Sequence, residues 1–339
     1  MAGSVDVLTC LFRPTQPKKC GQFTTTLSGN DHRGSPYSGS LDMIVHLVDG
    51  TYELYRQHYG QAVRSSTPAP NAATIGVLNS TMQLLTEGAT YIGVASDHVI
   101  ESFRNDLWAG YKTSEGMEPE ILGQIPIMEE ALRSMGVMVW PMVEYEADDA
   151  LSSAAAIADE DPRVTQVQIL SPDKDLGQCV KGTRVVQIDR RKMGKGENGL
   201  VDEAAVLEKF GVPPSGIADY LGLVGDTADG FPGLLGWGAK SAASVLARYG
   251  RIEEIPDAAG QWDVPGLRGA AKLATVLSEN RDLAYLFRRI ATTINDVPVG
   301  KVDDWHWSGP TPEFADFCAD LGIPRLAEKA AGLARSRGR

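Results

Sequence analysis

Four short apolar runs in this chain each lead into a carboxylate, and no other feature constrains the fold as strongly. Asp49 closes Ile44-Val45-His46-Leu47-Val48, Asp97 closes the run from Tyr91 to Ala95, Glu146 follows Val137-Met138-Val139-Trp140, and Asp173 follows Val167-Gln168-Ile169-Leu170. Short apolar runs bounded by turn formers read as buried strands, and the helical patterns between them give a βαβ series. In a parallel sheet the carboxyl ends of the strands share one edge, where ligands bind, so the four acids are expected to meet at one crevice. Asp148 and Asp149 lie beside Glu146, Asp175 lies beside Asp173, and Asp226 and Asp229 stand in the Gly-rich segment Val224 to Gly230. Nine carboxylates cannot all stay ionised at close range unless cations neutralise them. Two or more hard divalent ions, Mg²⁺ or Mn²⁺, fit such an oxygen-only set.

The length of 339 residues allows one large or two ordinary domains, and 43% hydrophobic content supports a full core. No apolar run approaches the ~20 residues of a membrane span, and the N-terminus lacks a secretory-signal pattern, so a cytoplasmic protein without membrane contact is expected. Cys10, Cys20, Cys179 and Cys318 lack metal-type spacing and do not suggest a disulfide framework. The net charge of −12 argues at first against a nucleic-acid partner, which normally leaves a basic footprint. Ions bound to the nine acids would cancel most of that charge, leaving room for a basic groove beside a metal pocket.

Residues 1–40 hold almost no periodic apolar signal and read as a disordered extension, with Met43 as a candidate true start. Residues 41–200 read as the α/β unit, with a helix from near Tyr52 and others over 71–86, 123–135 and 147–158. From about 201 the strand signal fades, and a helical unit over 201–330 is expected, followed by a basic tail over 331–339. Asp202 is a plausible N-cap, and Gly211 would stop the helix it opens.

Glu146 and Asp149, three residues apart, share a helix face, while Asp148 points about 100° away, so the trio could serve two neighbouring metal positions. Acidic residues in a first helical turn are also what the helix dipole alone favours. After the last acids, Phe231 to Ser241 resembles a helix-hairpin-helix. Gly233, Gly236 and Gly238 let backbone approach a phosphate, a helix beginning near Lys240 and Ser241 presents free N–H groups, and Lys240 and Arg248 add charge.

These segments together resemble the bacterial 5′→3′ exonuclease and flap endonuclease family, including the nuclease module of DNA polymerase I. The resemblance rests on Val48-Asp49-Gly50, Ser96-Asp97, Phe103-Arg104, Tyr111-Lys112, Tyr145 to Asp149, Asp173 to Leu176, Tyr220 to Asp226 and the hairpin. It implies a PIN-like, mostly parallel sheet flanked by helices, then a helical domain with a helix-three-turn-helix that grips duplex DNA, often around a K⁺ ion. It further implies a free-standing, monomeric, metal-dependent nuclease acting on 5′ flaps, nicked or branched duplexes and free 5′ ends, or on an RNA primer in a hybrid. By that resemblance Asp49, Asp97, Glu146 and Asp148 surround a first metal, and Asp149, Asp173, Asp175, Asp226 and Asp229 a second. Arg104 and Lys112 match basic residues that steer the scissile phosphate.

The chain departs from the family pattern at three places. Gly230 stands where Asn is usual, Glu115 where a further basic residue is common, and Ala95-Ser96 where a bulkier apolar pair precedes the acid. Two other readings compete with a 5′ nuclease. A PIN-type ribonuclease would lack the hairpin, and a non-catalytic junction-binding protein would not need the full set of acids.

Overall fold

The structure is a computed structural model that describes residues 43–62, 69–193 and 199–338. The extension expected over 1–40 lies outside the described residues. Six strands form one sheet in the order β3-β2-β1-β4-β5-β6: β1 (Met43–Asp49), β2 (Tyr91–Asp97), β3 (Met138–Met142), β4 (Val164–Leu170), β5 (Val185–Ile188) and β6 (Leu200–Val201). The first five are parallel, and β6 adds an antiparallel edge to β5. The chain leaves central β1 towards β2 and β3, then returns to build β4 and β5 on the other side. The strand order therefore reverses at β1 and β4, which opens a crevice beyond their carboxyl ends.

Helices α1 (Gly50–Ala62), α2 (Ala72–Thr86), α3 (Phe103–Leu107), α4 (Pro119–Leu122), α5 (Gln124–Ser134), α6 (Ala147–Glu160) and α7 (Arg190–Met193) accompany the sheet. Strand alternation sends Val45 and Leu47 to one face, against Ala150, Leu151, Ala154 and Ala158 of α6. Val48, Ile92 and Val94 point to the other, against Leu54, Leu78, Met82 and Met128. The short β5 and β6 carry too little periodicity to be recognised from sequence.

The helical unit comprises α8 (Glu203–Phe210), α9 (Ile217–Val224), α10 (Ala239–Tyr249), α11 (Ala270–Glu279) and α12 (Arg281–Ala291) around its own core of Leu221, Leu223, Phe231, Leu246, Leu277 and Phe287. The Asp202 carboxylate caps α8 by accepting from Ala205 N at 2.9 Å, and Gly211 closes it at φ +73°, as expected from sequence.

This unit ends sooner than expected. Val297, Val299, Val302 and Trp305 return to the core beneath α6. Trp307, α13 (Phe314–Asp320) and α14 (Pro324–Ser336) pack on the opposite face, with Phe314, Cys318, Leu326, Ala330 and Ala334 buried there. The expected basic tail thus begins as the last turns of α14, and Arg337 donates to the carbonyls of Leu85 and Ala89. Amphipathic periodicity identifies such helices but does not say which core they cover.

Candidate active site

At the β1/β4 crevice a chain of hydrogen bonds links acids from successive elements. Asp49 accepts from Tyr52 N at 2.8 Å, and Ser171 Oγ donates to its other oxygen at 2.8 Å. Asp173 N donates to the same Ser171 hydroxyl at 3.2 Å, and Asp175 N donates to Asp173 Oδ1 at 2.9 Å. Asp97 is fixed from both sides: Thr51 Oγ1 accepts from its backbone N–H, and its carboxylate accepts from Ala147 N at 2.8 Å. Ala147 opens α6, so an N–H at the positive end of that helix meets the acid, an arrangement the helix dipole favours.

The acids repel one another as expected from sequence. Burial, reinforced by Asp97 and Asp173, pushes Asp49 up to about 7 against its two hydrogen bonds. Burial and the charges of Asp173 and Asp49 raise Asp148 well above the usual carboxylate range. Burial with Asp173 and Asp229 does the same to Asp175, and burial with Asp229 moves Asp226 to about 6. Asp175, Asp226 and Asp229 each offer an oxygen within 4.8 Å of the others, and Asp175 Oδ1 is buried without a hydrogen-bond partner. An unpaired buried carboxylate oxygen is costly, and a hard cation would satisfy it.

Two lysines reach into the cluster. Lys112 Nζ lies 2.8 Å from Glu146 Oε2 and 3.1 Å from Asp229 Oδ1, bridging acids from the two units. Burial lowers the Lys112 pKa, but Asp229 and Glu146 outweigh it and hold the ammonium well above its ordinary value. Lys174 Nζ lies 2.6 Å from Asp226 Oδ2. Burial disfavours ionised Glu146, yet Lys112 and Arg104 prevail and hold it at about 2.

Eight of the nine acids meet at this site, although Glu146 already has both oxygens engaged, by Ser102 and Arg104 on one side and Tyr111 and Lys112 on the other, and the ninth acid, Asp149, is engaged as fully. Both Asp149 oxygens are consumed: the Arg104 fork donates to them at 2.7 and 2.8 Å, and Glu146 N and Ile294 N donate at 3.0 and 2.8 Å. In this arrangement Asp149 is the ion-pair partner of Arg104, and its place as a metal ligand remains an expectation from the resemblance. Arg104 is engaged to the same extent. It is 3% exposed, and its remaining N–H groups go to Glu146, Ile290 O and Thr292 O, so in this arrangement it faces the protein interior. A Phe-Arg pair in sequence cannot reveal that the guanidinium turns inward. Sequence reasoning also missed Ser171, Ser102 and Tyr111 as site residues. The Ser102 and Tyr111 hydroxyls donate to Glu146 at 2.6 and 3.1 Å. Ser171 was the most legible, since it directly follows β4.

The hairpin follows the second acid group. Asp226 and Phe231 exchange two backbone hydrogen bonds, and Leu234 N donates to Leu223 O at 2.8 Å. Gly225 and Gly233 cross here so closely that a Cβ on either would lie 2.3 Å from backbone of the other strand. Gly236 adopts φ +82°, and Ser241 Oγ caps α10 by accepting from Gly238 N at 3.0 Å. Lys240 lies exposed in the first turn of α10, and the helix starts where the sequence placed it. Arg248 is exposed too but holds Asp263 at 3.2 Å.

Comparison with known proteins matches residues 44–211 to the 5′-3′ exonuclease N-terminal resolvase-like domain and residues 212–313 to the 5′-3′ exonuclease C-terminal SAM fold. A 5′-3′ exonuclease of Aquifex aeolicus is 32% identical over 214 residues, covering 62% of this chain and 71% of that protein. DNA polymerase I of Bacillus caldotenax is 29% identical over 290 residues, which is 84% of this chain but 32% of the polymerase, so the chain spans about a third of that relative. Among solved structures, a bacteriophage T5 flap endonuclease in complex with DNA and metal ions shares the fold at a TM-score of 0.56 and 17% identity, covering 86% of this chain and 99% of the phage protein. With both domains matched in order around one acidic crevice, the chain belongs to the 5′-3′ exonuclease family.

Proposed function

We propose that this protein is a divalent-metal-dependent 5′ nuclease that hydrolyses phosphodiester bonds of flapped, nicked or branched duplex DNA near a free 5′ end, in replication or repair. The observation that carries this reading is the pair of acid groups joined at the β1/β4 crevice and bridged by Lys112. Asp49, Asp97 and Asp148 would hold one Mg²⁺ or Mn²⁺, with Glu146 acting through water because its oxygens already accept from Ser102, Arg104, Tyr111 and Lys112, and Asp173, Asp175, Asp226 and Asp229 would hold a second. Such ions supply an activated water and neutralise charge at both the attacking and leaving oxygens of an in-line displacement.

The residues of the chain do the rest. The first turn of α6 and the Ser171 hydroxyl fix the carboxylates, so little reorganisation is needed when a phosphate arrives. Lys112, partly exposed and the one steering cation of the expected pair that faces the cluster, would meet the phosphate when the acids are neutralised. The hairpin, with Lys240 and the N–H groups of α10, would hold phosphates of the duplex without sequence preference. A K⁺ ion at the hairpin carbonyls, an RNA primer as an alternative substrate, a cytoplasmic setting and a monomeric state belong to the same proposal. The helical unit weighs against a PIN-type ribonuclease, and the preserved acids weigh against a non-catalytic junction binder.

The test is cleavage of 5′-flap, nicked, single-stranded and RNA substrates with Mg²⁺, Mn²⁺ or EDTA. Metal-dependent cutting at the flap junction is expected. Cleavage of RNA alone would favour the ribonuclease, and binding without cleavage the junction protein.

A further inference from the structure

Arg104 and Asp149 join the ends of two helices from different units. The C-terminus of α12 leaves carbonyls without intrahelical partners, and Arg104 donates from Nε to Ile290 O at 2.8 Å and from Nη2 to Thr292 O at 3.2 Å. Gln178 adds a bond to Ala291 O at 2.7 Å. At the other end, Asp149 accepts from Glu146 N in the first turn of α6. The guanidinium thus sits at the negative end of one helix and the carboxylate at the positive end of the other, and each charge matches its dipole. The fork between them is bidentate, which fixes orientation as well as distance.

Helix α6 carries part of the acid cluster, and α12 packs on the helix that leads into the rest. The first turn of α6 presents Glu146 and Asp148 and donates to Asp97. Helix α12 packs on α9 so closely that a Cβ on Gly222 would lie 2.9 Å from Ala284 O, and α9 runs directly into the loop of Asp226 and Asp229. Two-ion phosphoryl chemistry requires a separation of ~3.5–4 Å, which leaves little tolerance for movement between the two frames. We propose that Arg104 is a positioning residue that sets the spacing between the first acid group (Asp97, Glu146, Asp148) and the second (Asp226, Asp229) by clamping α12 to α6. This inference rests on the nuclease reading for its consequence in catalysis, but its geometry can be tested separately.

The experiment uses the full chain. Arg104→Lys keeps a charge and loses the fork, and the double variant Arg104→Met/Asp149→Asn removes the ion pair while leaving an amide oxygen to accept from the backbone N–H groups that Asp149 serves. Bound Mn²⁺ is followed by electron paramagnetic resonance, which reads magnetic coupling between neighbouring ions. Single-turnover cleavage of saturating 5′-flap DNA and DNA affinity in Ca²⁺ are measured alongside. Both variants are expected to weaken the Mn²⁺ coupling and to slow single-turnover cleavage by about 100-fold, the scale of a 1 Å misplacement, while DNA affinity stays close to wild type. A folded double variant with wild-type coupling and rate would overturn the proposal, as would a lower melting temperature as the sole effect. Absence of DNA cleavage by the wild-type protein would instead sink the nuclease reading, with the Mn²⁺ coupling still deciding the role of Arg104.

Discussion

A Cβ placed on Gly230 would lie 2.0 Å from the carbonyl oxygen of Gly110, so the loop after the second acid group and the loop before Lys112 touch backbone to backbone. Two hydrogen bonds reinforce the contact: Lys112 N donates to Asp229 O at 3.0 Å, and Trp108 Nε1 donates to Gly230 O at 3.1 Å. Gly230 sits at φ +81° with no room for a side chain. Gly230→Asn is expected to destabilise the fold by about 1–3 kcal/mol and to reduce cleavage by pushing the Lys112 loop away. A melting temperature and a rate both equal to wild type would show that the loops separate freely.

Metal should stabilise the protein, because it relieves the repulsion that raises Asp49, Asp148 and Asp175. Asp175→Asn removes one of the repelling charges, so the melting temperature in EDTA should rise. The increment added by millimolar Mg²⁺ should shrink, by about 1.4 kcal/mol for each tenfold loss of affinity when the ion is in excess. Thermal melts of both proteins with and without Mg²⁺ check the two signs.

Lys112→Met is expected to act in the opposite sense. Glu146 and Asp229 lose the ammonium between them, so the metal-free fold should weaken by about 1–3 kcal/mol, and Mg²⁺ should restore more stability than in the wild type. Cleavage should fall even when metal and DNA saturate. Wild-type turnover at saturation would remove Lys112 from the chemistry.

Lys240→Ala should weaken duplex binding and lower the magnitude of the salt slope by about 0.9, as for one lost phosphate contact, with single-turnover cleavage unchanged at saturating DNA. Binding isotherms across a salt series measure it, and an unchanged slope would place Lys240 off the duplex.

Glu115 is exposed in the segment between Lys112 and α4, beyond Ser114, which donates twice to Glu101. A carboxylate there would repel a single strand passing this side of the cluster. Glu115→Arg is expected to raise affinity for long 5′ flaps more than for a flapless nick, and more at low salt, because exposed charges are screened over about 8–10 Å. Equal gains on both substrates would mean that only the general field of the protein has changed.

The acids at the strand ends were legible because a parallel sheet puts every strand's carboxyl end on one edge, a rule that needs only the order of apolar runs and turn formers. The Asp202 cap, the Gly211 stop and the hairpin glycines were legible for the same reason, each being a local backbone demand met by a local residue type. What sequence could not give was direction over distance. Arg104 and Lys112 are eight positions apart on one segment, yet one turns inward to Asp149 and the carbonyls of α12 while the other bridges Glu146 and Asp229. Asp148 and Asp149 are neighbours, yet the helix turn sends one to the metal crevice and the other to an ion pair. The same holds for α13 and α14, whose periodicity fixed their helical form while packing alone chose the sheet over the helical unit. Local propensity and strand order are properties of the chain, whereas the partner of a long side chain is settled only when elements far apart in sequence pack together and bury it.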